Sequence, residues 1–186
     1  MLLVIEHLEP KLSEWLYIEY AHSSKIAGRR RLIITNIKKQ AELKKLAKVA
    51  QVERRRVVDI FDQRELVVLD PLARRSLSPK DLNGKKAVVV GGILGNDPPL
   101  GRTRELLARH LSSATTRNIG KQQFSIDGAV YMAKKISEGM SLKDVPVQQG
   151  LEIKISRYYS NFLPYAFPLN GRPVISKRLV EYLKKH

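Results

Sequence analysis

The chain has 186 residues, enough to bury a sizeable core within one domain. Its 34 Lys and Arg outweigh 18 Asp and Glu, giving a formal net charge of +16. This favours approach to a polyanion such as RNA or a ribosomal surface, although heat-adapted proteins show a similar excess. The absence of cysteine excludes disulfides, thiolate nucleophiles and cysteine-based zinc sites, and no metal site is predicted. Without a long apolar run or a signal-peptide core, the chain is expected to be cytoplasmic and not membrane-bound.

Predicted strands and helices alternate along the chain. Apolar, β-branched runs predict strands at residues 2–5, 31–37, 66–69, 85–90 and 114–119. Helices are predicted between Ser13, a suitable N-cap, and Gly28, and at residues 38–49, 102–111, 125–137 and 178–185. Residues 54–61 are expected to be strand or irregular. The alternation predicts an α/β fold, with a mainly parallel sheet and helices on both faces.

One loop stands out as a candidate ligand-binding loop. A buried-strand pattern at residues 88–90 runs into Gly91, Gly92 and Gly95, and glycines let backbone amides come close to a ligand. The loop lacks the Gly-Lys-Ser/Thr of a P-loop and the Gly-x-Gly-x-x-Gly spacing of a dinucleotide site. It therefore either holds a nucleotide in another way or is a plain turn between a strand and a helix.

Two more loops follow predicted strands and are grouped with it. They cover residues 70–71 and 120–125, whereas the glycine loop covers residues 91–99. Because ligands bind beyond the carboxyl ends of parallel strands, we expect the three loops to converge on one site.

Short motifs near both ends of the chain and around these loops carry a family resemblance. They are Ile5-Glu6-His7, Ser13-Glu14-Trp15, Glu19-Tyr20, Leu69-Asp70-Pro71, Gly91-Gly92-Ile93-Leu94-Gly95, Pro98-Pro99, Arg102-Thr103, Glu105-Leu106, Arg117, Gly120, Gln123, Asp127 and Ala129, with a weaker match at Leu163-Pro164 and Gly171-Arg172-Pro173. The chain resembles the SPOUT superfamily of trefoil-knotted S-adenosylmethionine-dependent methyltransferases. Within it, the chain is similar to the branch of the ribosomal-protein arginine methyltransferase and its archaeal relatives, labelled predicted RNA methyltransferases. Residues 28–65 match no part of the pattern.

The resemblance implies a single domain over residues 1–186, a C-terminal trefoil knot and a short appendage from about residue 150. The implied cofactor is S-adenosylmethionine, enclosed by the loops largely through backbone groups. The implied cofactor-binding residues are Leu69, Asp70, Pro71, Gly91, Gly92, Ile93, Leu94, Gly95, Pro98, Arg102, Ile119, Gly120, Gln123, Phe124 and Ser125. The arginine-modifying branch works as a monomer, which favours a monomer over a homodimer. One departure is Asn96-Asp97 before the two prolines, where the family pattern has Asp-His.

Three acids are the candidate catalytic residues. Methyl transfer is an in-line displacement, so the protein acts mainly by placing the acceptor behind the methyl group. An arginine acceptor is always charged, and carboxylates must orient it and help to remove a proton. Asp97 and Glu6 are predicted to face the acceptor, with Glu19 in support. The alternatives are a turn role for Asp97 and surface or capping roles for Glu6 and Glu19.

Other residues have both a functional and a structural interpretation. His7 is a candidate base or a structural histidine, and Arg102 either holds the cofactor carboxylate or begins a helix. Trp15 either stacks on a base or belongs to the core. Residues 157–159 and Phe162 combine charge with aromatic rings, as RNA stacking surfaces do, but a C-terminal element packed on the sheet has the same composition.

The leading hypothesis is an S-adenosylmethionine-dependent methyltransferase that modifies an arginine of a ribosomal protein, with its basic surface on nearby RNA. An enzyme that methylates rRNA or tRNA directly is the first alternative, since a basic protein repels a free basic peptide. A non-catalytic RNA-binding module is the second. The expected partner is a ribosomal protein or subunit, and the role of the basic segment 38–56 is left open.

Overall fold

A six-stranded parallel sheet forms the centre of the molecule. The computed structural model describes residues 1–95 and 100–185. The strands are β1 (Leu2–His7), β2 (Leu32–Thr35), β3 (Gln51–Val52), β4 (Leu66–Leu69), β5 (Ala87–Gly92) and β6 (Thr115–Arg117). They lie in the order β3-β2-β1-β5-β4-β6, and every neighbouring pair is parallel. The predicted parallel sheet is therefore confirmed.

In the described part of the chain five α-helices accompany the strands: α1 (Glu14–Ala27), α2 (Gln40–Leu46), α3 (Arg102–Leu106), α4 (Ile126–Ser137) and α5 (Lys177–Leu183). The Ser13 hydroxyl caps α1 by accepting a hydrogen bond from the Leu16 amide, and Gly28 ends the helix at φ +89°, as predicted. The helices predicted at 38–49 and 102–111 are shorter than expected. In the second case Leu107 leaves the helical conformation, at φ −127° and ψ −66°, and a 3₁₀ turn follows.

Apolar side chains fill both faces of the sheet. Along β5, Val88 and Val90 point into the core beneath α1 and α4, whereas Ala87 and Val89 point to the opposite face. This alternation follows from the two-residue period of a strand, and burial on both faces is what a parallel sheet requires. No helix within the described ranges combines the length and the apolar character needed to cross a bilayer.

An antiparallel hairpin follows the sheet, and the sequence patterns did not predict it. Its strands are β7 (Val147–Lys154) and β8 (Ser160–Pro168), and it packs with α5 against α1. A bulge between Gln149 and Leu151 interrupts the alternation of β7, and Pro164 interrupts that of β8. The knotted path and the division into a domain with an appendage stay predictions.

Candidate functional site

A cleft of about 150 Å³ opens beyond the carboxyl ends of β4 and β5. A single water needs roughly 10–15 Å³ by the same measure, so the cleft has room for an organic ligand. Its apolar walls come from Leu69, Val90, Ile93, Leu94, Leu100, Ile119, Phe124, Ile126 and Ala129. The three loops predicted to converge meet here, which confirms that expectation.

Most residues predicted to bind a cofactor line this cleft. They are Leu69, Asp70, Pro71, Gly91, Ile93, Leu94, Gly95, Arg102, Ile119, Gly120, Gln123, Phe124 and Ser125. Pro98 and the proposed acid Asp97 lie outside the described residues. Gly92 is described but does not line the cleft. The structure thus brings the predicted set together with one exception, while the binding roles themselves stay predictions.

Gly95 keeps two walls of the cleft close together. A Cβ atom at this position would lie 2.1 Å from Nε2 of Gln123 and 2.8 Å from Cε1 of Tyr165. The Tyr165 hydroxyl donates a hydrogen bond of 3.2 Å to the Gly95 carbonyl. The Ala166 amide in turn donates to the Gln123 carbonyl at 2.7 Å. The glycine loop, the 120–125 loop and the hairpin are therefore joined directly.

Gly92 needs to be glycine for a different reason from the one predicted. A Cβ at Gly92 would lie 2.2 Å from Oη of Tyr20 and 2.9 Å from the carbonyl oxygen of Glu6. Both neighbours are buried beside the sheet. Gly92 thus leaves room for the Tyr20 hydroxyl and does not line the cleft, while its predicted role in cofactor binding stays a prediction.

Asp70 is the buried acid of the cleft. One carboxylate oxygen accepts a hydrogen bond of 2.9 Å from the Leu72 amide, and the other accepts one of 2.9 Å from Nε of Arg104. The first contact turns the chain at the end of β4. The second brings α3 to the same strand end, so Asp70 fixes two sides of the cleft.

Glu9 and Arg102 hold the glycine loop from the other side. Glu9 Oε1 accepts a hydrogen bond of 3.1 Å from the Leu94 amide and lies 3.1 Å from a guanidinium nitrogen of Arg102. Arg102 was predicted at this site and lines the cleft, whereas Glu9 was not selected. Its position just past the end of β1 was the available signal, because the other loops of the site also follow strands.

Glu6 lies inside the molecule and does not line the cleft. Its carboxylate accepts hydrogen bonds from the Val57 amide at 2.9 Å, from Nε of Arg56 at 3.1 Å and from the Thr35 hydroxyl. The side chain has no exposed surface, so these groups replace its water shell. These contacts favour a role in fastening residues 56–57 to the sheet, and a catalytic role stays a prediction.

Glu19 is also buried, at the contact between α1 and α4. It accepts hydrogen bonds of 2.6 Å from the indole nitrogen of Trp15 and 3.0 Å from the Ile126 amide. Burial, together with the nearby Asp127 carboxylate, raises the pKa of Glu19 to about 8. Asp127 lies 2.6 Å from Nδ1 of His22 and accepts a 2.6 Å hydrogen bond from the Ser125 hydroxyl. Glu19 therefore sits behind the cleft wall at Ser125 and Ile126.

The structural interpretations of His7 and Trp15 agree with their surroundings. Nδ1 of His7 lies 2.9 Å from the Tyr20 hydroxyl, and burial lowers the pKa of His7. Trp15 makes an edge contact with Tyr182, with ring centroids 6.5 Å apart, and packs on the cluster of α5 and the hairpin. Neither side chain lines the cleft.

Several residues of the cleft were not in the predicted set. They are Leu72, Val90, Leu100, Gly101, Thr103, Lys121, Gln122, Ile126 and Ala129. All but Ala129 lie next to or between predicted positions, so longer loop segments would have included them; Ala129 lies one turn into α4. In the described part of the chain no group of three or more His, Asp or Glu side chains is arranged to hold a metal ion.

Known proteins share this fold and sequence pattern. A sequence model of the family "Protein arginine N-methyltransferase SFM1-like" matches residues 2–186. The chain is 26% identical to protein arginine N-methyltransferase SFM1 of Saccharomyces cerevisiae over 199 residues, covering 98% of this chain and 93% of that protein.

Solved structures give the same answer for the fold. The yeast SFM1 structure complexed with SAH matches with a TM-score of 0.89 at 23% identity, over 98% of this chain and 94% of the other. Its complex with SAM gives 0.89 at 24%, over 99% and 90%. Trm10 from Thermococcus kodakaraensis matches with a TM-score of 0.63 at 17% identity, over 77% and 95%. These matches confirm the predicted SPOUT-type fold.

Proposed function

The chain belongs to the SFM1-like family of protein arginine N-methyltransferases, and on that premise we propose that it methylates an arginine of a ribosomal protein, using S-adenosylmethionine. The observation that carries the proposal is the single cleft formed by the three loops at the ends of β4, β5 and β6. A ligand beyond the carboxyl ends of parallel strands is the usual arrangement in such sheets.

The residues of the cleft suit this cofactor. S-adenosylmethionine supplies an electrophilic methyl group when bound. The apolar walls at Leu69, Ile93 and Ile119 fit a flat adenine ring, and the backbone around Gly91 and Gly95 offers polar groups without side chains in the way. Arg102 is the candidate partner for the cofactor carboxylate, on condition that it exchanges part of its contact with Glu9.

The acceptor side calls for an acid that faces the cleft. A guanidinium stays protonated at neutral pH, so a carboxylate must orient it and help to take its proton. We retain Asp97 as the proposed acceptor-facing acid, because it lies in the glycine loop. For Glu6 and Glu19, whose oxygens accept bonds from internal donors, we favour a positioning role.

Labelled S-adenosylmethionine identifies the acceptor. The protein is incubated with the labelled cofactor and with ribosomal subunits from a matching source. We expect label that survives nuclease, is released by protease and is recovered as methyl-arginine. Asp97→Asn is expected to lower turnover roughly a hundredfold while cofactor binding persists, if the acid assists proton removal.

Methylation of RNA itself is the alternative that the charge of +16 favours, since RNA is attracted to a basic surface. Label that disappears with nuclease would replace the arginine proposal with this one. A non-catalytic RNA-binding module would bind no cofactor. Calorimetric titration with S-adenosylmethionine separates that possibility from both enzymes, because only they are expected to give a binding isotherm.

We further propose a cytoplasmic monomer whose basic segment 38–56 contacts ribosomal RNA. Lys44 lies in the last turn of α2 and Lys48 in the turn after it; both are exposed, and neither forms an ion pair with a described carboxylate. Lys45, between them in sequence, already has partners within the chain. It forms an ion pair with Glu14 at 2.8 Å and lies 4.3 Å from the centre of the Tyr17 ring. The two outer lysines are therefore the ones available to phosphate.

Reversing these two charges tests the contact. Lys44→Glu with Lys48→Glu should weaken association with ribosomal subunits and lower the slope of log affinity against log salt by about two, one for each lost phosphate contact. Lys184→Glu with Lys185→Glu makes the same charge change at two exposed lysines at the end of α5, outside the basic segment, and is the matched control. An equal effect of both pairs would show that only net charge matters, against a contact at this segment.

A further inference from the structure

The β7–β8 hairpin exposes three aromatic rings at and next to its tip. Tyr158 is 89% exposed, and Tyr159 and Phe162 are each 63% exposed. Large apolar side chains exposed as a group mark interaction surfaces more often than isolated ones do. These rings lie at one end of a nine-residue strand, Ser160–Pro168, and in the turn before it.

The three exposed rings do not belong to the buried face of the hairpin. Ile153 and Leu163 point to the other face of the hairpin and pack with α5 against α1. Phe162 stands opposite Glu152 on the outer face. Its ring covers Gly150, at which a Cβ would lie only 2.6 Å from Cζ of the ring and whose φ is +71°. One side of the ring is thus held by the strand, and the other side is open.

Positive charge accompanies the rings. The guanidinium of Arg157 lies 5.7 Å from the centre of the Tyr158 ring. Arg157 and Lys154 are both exposed, and neither has an ion pair with a carboxylate of residues 1–95 or 100–185. The acid on this face, Glu152, accepts a 2.5 Å hydrogen bond from the Ser160 hydroxyl. Glu152 keeps its negative charge in this contact, so with Lys154 and Arg157 the tip carries two positive charges against one negative and is net positive.

The turn itself is ordered by its own hydrogen bonds. The amides of Ile155 and Ser156 both donate to the carbonyl of Tyr159 at 3.0 Å. The Tyr158 amide donates to the Ser156 hydroxyl oxygen at 3.3 Å. A platform that is already shaped loses little conformational entropy when it binds.

We propose that this tip is a binding platform for single-stranded RNA. Exposed rings stack on bases of any sequence, and neighbouring Arg and Lys side chains follow the phosphates, which is the combination that single-strand binding requires. The net charge of +16 is complementary to RNA and repels a cationic partner. The inference does not depend on which acceptor the enzyme methylates.

The platform has a fixed relation to the cleft. Ala166 and Tyr165 bond to Gln123 and Gly95 in the cleft walls, at 2.7 and 3.2 Å. Tyr159 lies seven residues from Ala166 along β8, a span of roughly 20 Å in an extended strand. RNA held at the tip would therefore place a ribonucleoprotein substrate a few nucleotides from the cleft.

Fluorescence anisotropy with labelled 12-mers of uridylate and adenylate tests the platform. The triple variant Tyr158→Ala, Tyr159→Ala, Phe162→Ala should bind both oligomers at least roughly 30-fold more weakly. Tyr158→Phe with Tyr159→Phe keeps the rings and should retain affinity. Met140→Ala removes an exposed apolar side chain in the loop after α4 and is the matched control. Calorimetry with S-adenosylhomocysteine should give the same affinity for all variants.

Three results would overturn the inference. Unchanged RNA affinity of the triple alanine variant would place the RNA site elsewhere. An equal loss in the phenylalanine variant would attribute binding to the hydroxyl groups, against stacking. A concentration-dependent dimer in sedimentation velocity that disappears in the triple alanine variant, without an effect on RNA, would make the patch a contact between two copies of the chain.

Discussion

The cleft wall at Gly95 and the two buried glutamates, Glu6 and Glu19, depend on different features of their residues. Around Gly95 the side chain is missing, and close approach of backbone to neighbouring groups shapes a wall. At Glu6 and Glu19 the side chain is present, and each carboxylate accepts hydrogen bonds from several internal donors. Gly95 follows β5, Glu6 lies within β1, and Glu19 lies on α1 behind the cleft wall.

The two regions differ in whether their polar groups are hydrogen-bonded inside the protein or can bind a ligand. A buried carboxylate whose oxygens meet amide, guanidinium and hydroxyl donors has little left for a substrate, and breaking those contacts costs stability. The glycine loop also uses part of its capacity, at the Leu94 amide and the Gly95 carbonyl, but without a Cβ in the way a ligand can approach its other backbone groups. Substitutions in the cleft should therefore affect ligand binding, and substitutions at the glutamates should affect folding.

Gly95→Val gives the largest expected effect. The added side chain would overlap Gln123 and Tyr165 and push two cleft walls apart. S-adenosylhomocysteine affinity by calorimetry should fall by more than roughly 1,000-fold, which corresponds to about 4 kcal/mol. The midpoint of urea unfolding should change much less than for a core substitution, because Gly95 is exposed. Normal binding by this variant would show that the ligand site lies elsewhere.

Glu6→Gln should lower the stability of the fold. The amide cannot pair with Arg56 as a carboxylate does, so a buried ion pair is broken, at a cost of about 3 kcal/mol in the free energy of unfolding. Glu53→Gln is the matched control, because its ion pair with Arg55 is far more exposed and should contribute no more than about 1 kcal/mol. If Glu6→Gln were as stable as the native chain but inactive, Glu6 would have to be reassigned to catalysis.

Gly92→Ala tests whether Gly92 has a different role from Gly95. Its Cβ would lie 2.2 Å from Oη of Tyr20, so overpacking should destabilise the fold by about 2 kcal/mol in urea unfolding. Tyr20→Phe removes that oxygen, and the double variant should be more stable than the sum of the two single effects. Simple additivity would contradict the packing role assigned to Gly92.

The sheet and the cleft were predictable because both depend on local signals. Runs such as residues 66–69 are continuously apolar, which is typical of strands buried on two faces. The loops then converge because parallel strands end on one side. The structural roles of Glu6 and Gly92 were not predictable. They depend on contacts with Arg56 and Tyr20, which are distant in sequence.

The hairpin escaped prediction for a related reason. Gly150 and Pro164 read as turn or breaker residues, yet one lies at a bulge and the other within a paired strand. Phe162, which read as a core or a stacking residue, is oriented by Gly150 on the opposite strand. Contacts between strands decide such cases, and a single strand does not display them.

Glu19 gives the smallest expected change per measured step, roughly 1 kcal/mol for each pH unit, and refines the comparison through pH. Burial raises its pKa to about 8 in the folded chain, against an ordinary value of 4.5. Between these values the folded state keeps a proton that the unfolded state has released. The free energy of unfolding should therefore fall as pH rises through this window, by roughly 1 kcal/mol per pH unit, and level off above it.

The difference between the native chain and Glu19→Gln isolates this contribution. His7, whose pKa is lowered by burial, acts with the opposite sign below its ordinary value of 6.5, because the unfolded state then binds the extra proton. His7 is present in both proteins, so its contribution cancels in the difference. Urea unfolding at pH 5, 6, 7 and 8 should show a declining stability in the native chain relative to the variant. A difference that stays constant over this range would mean that Glu19 is ionised throughout. Glu19 would then be bonded to Trp15 and Ile126 as a carboxylate. Its burial behind the cleft wall would be tolerated because those two donors replace water.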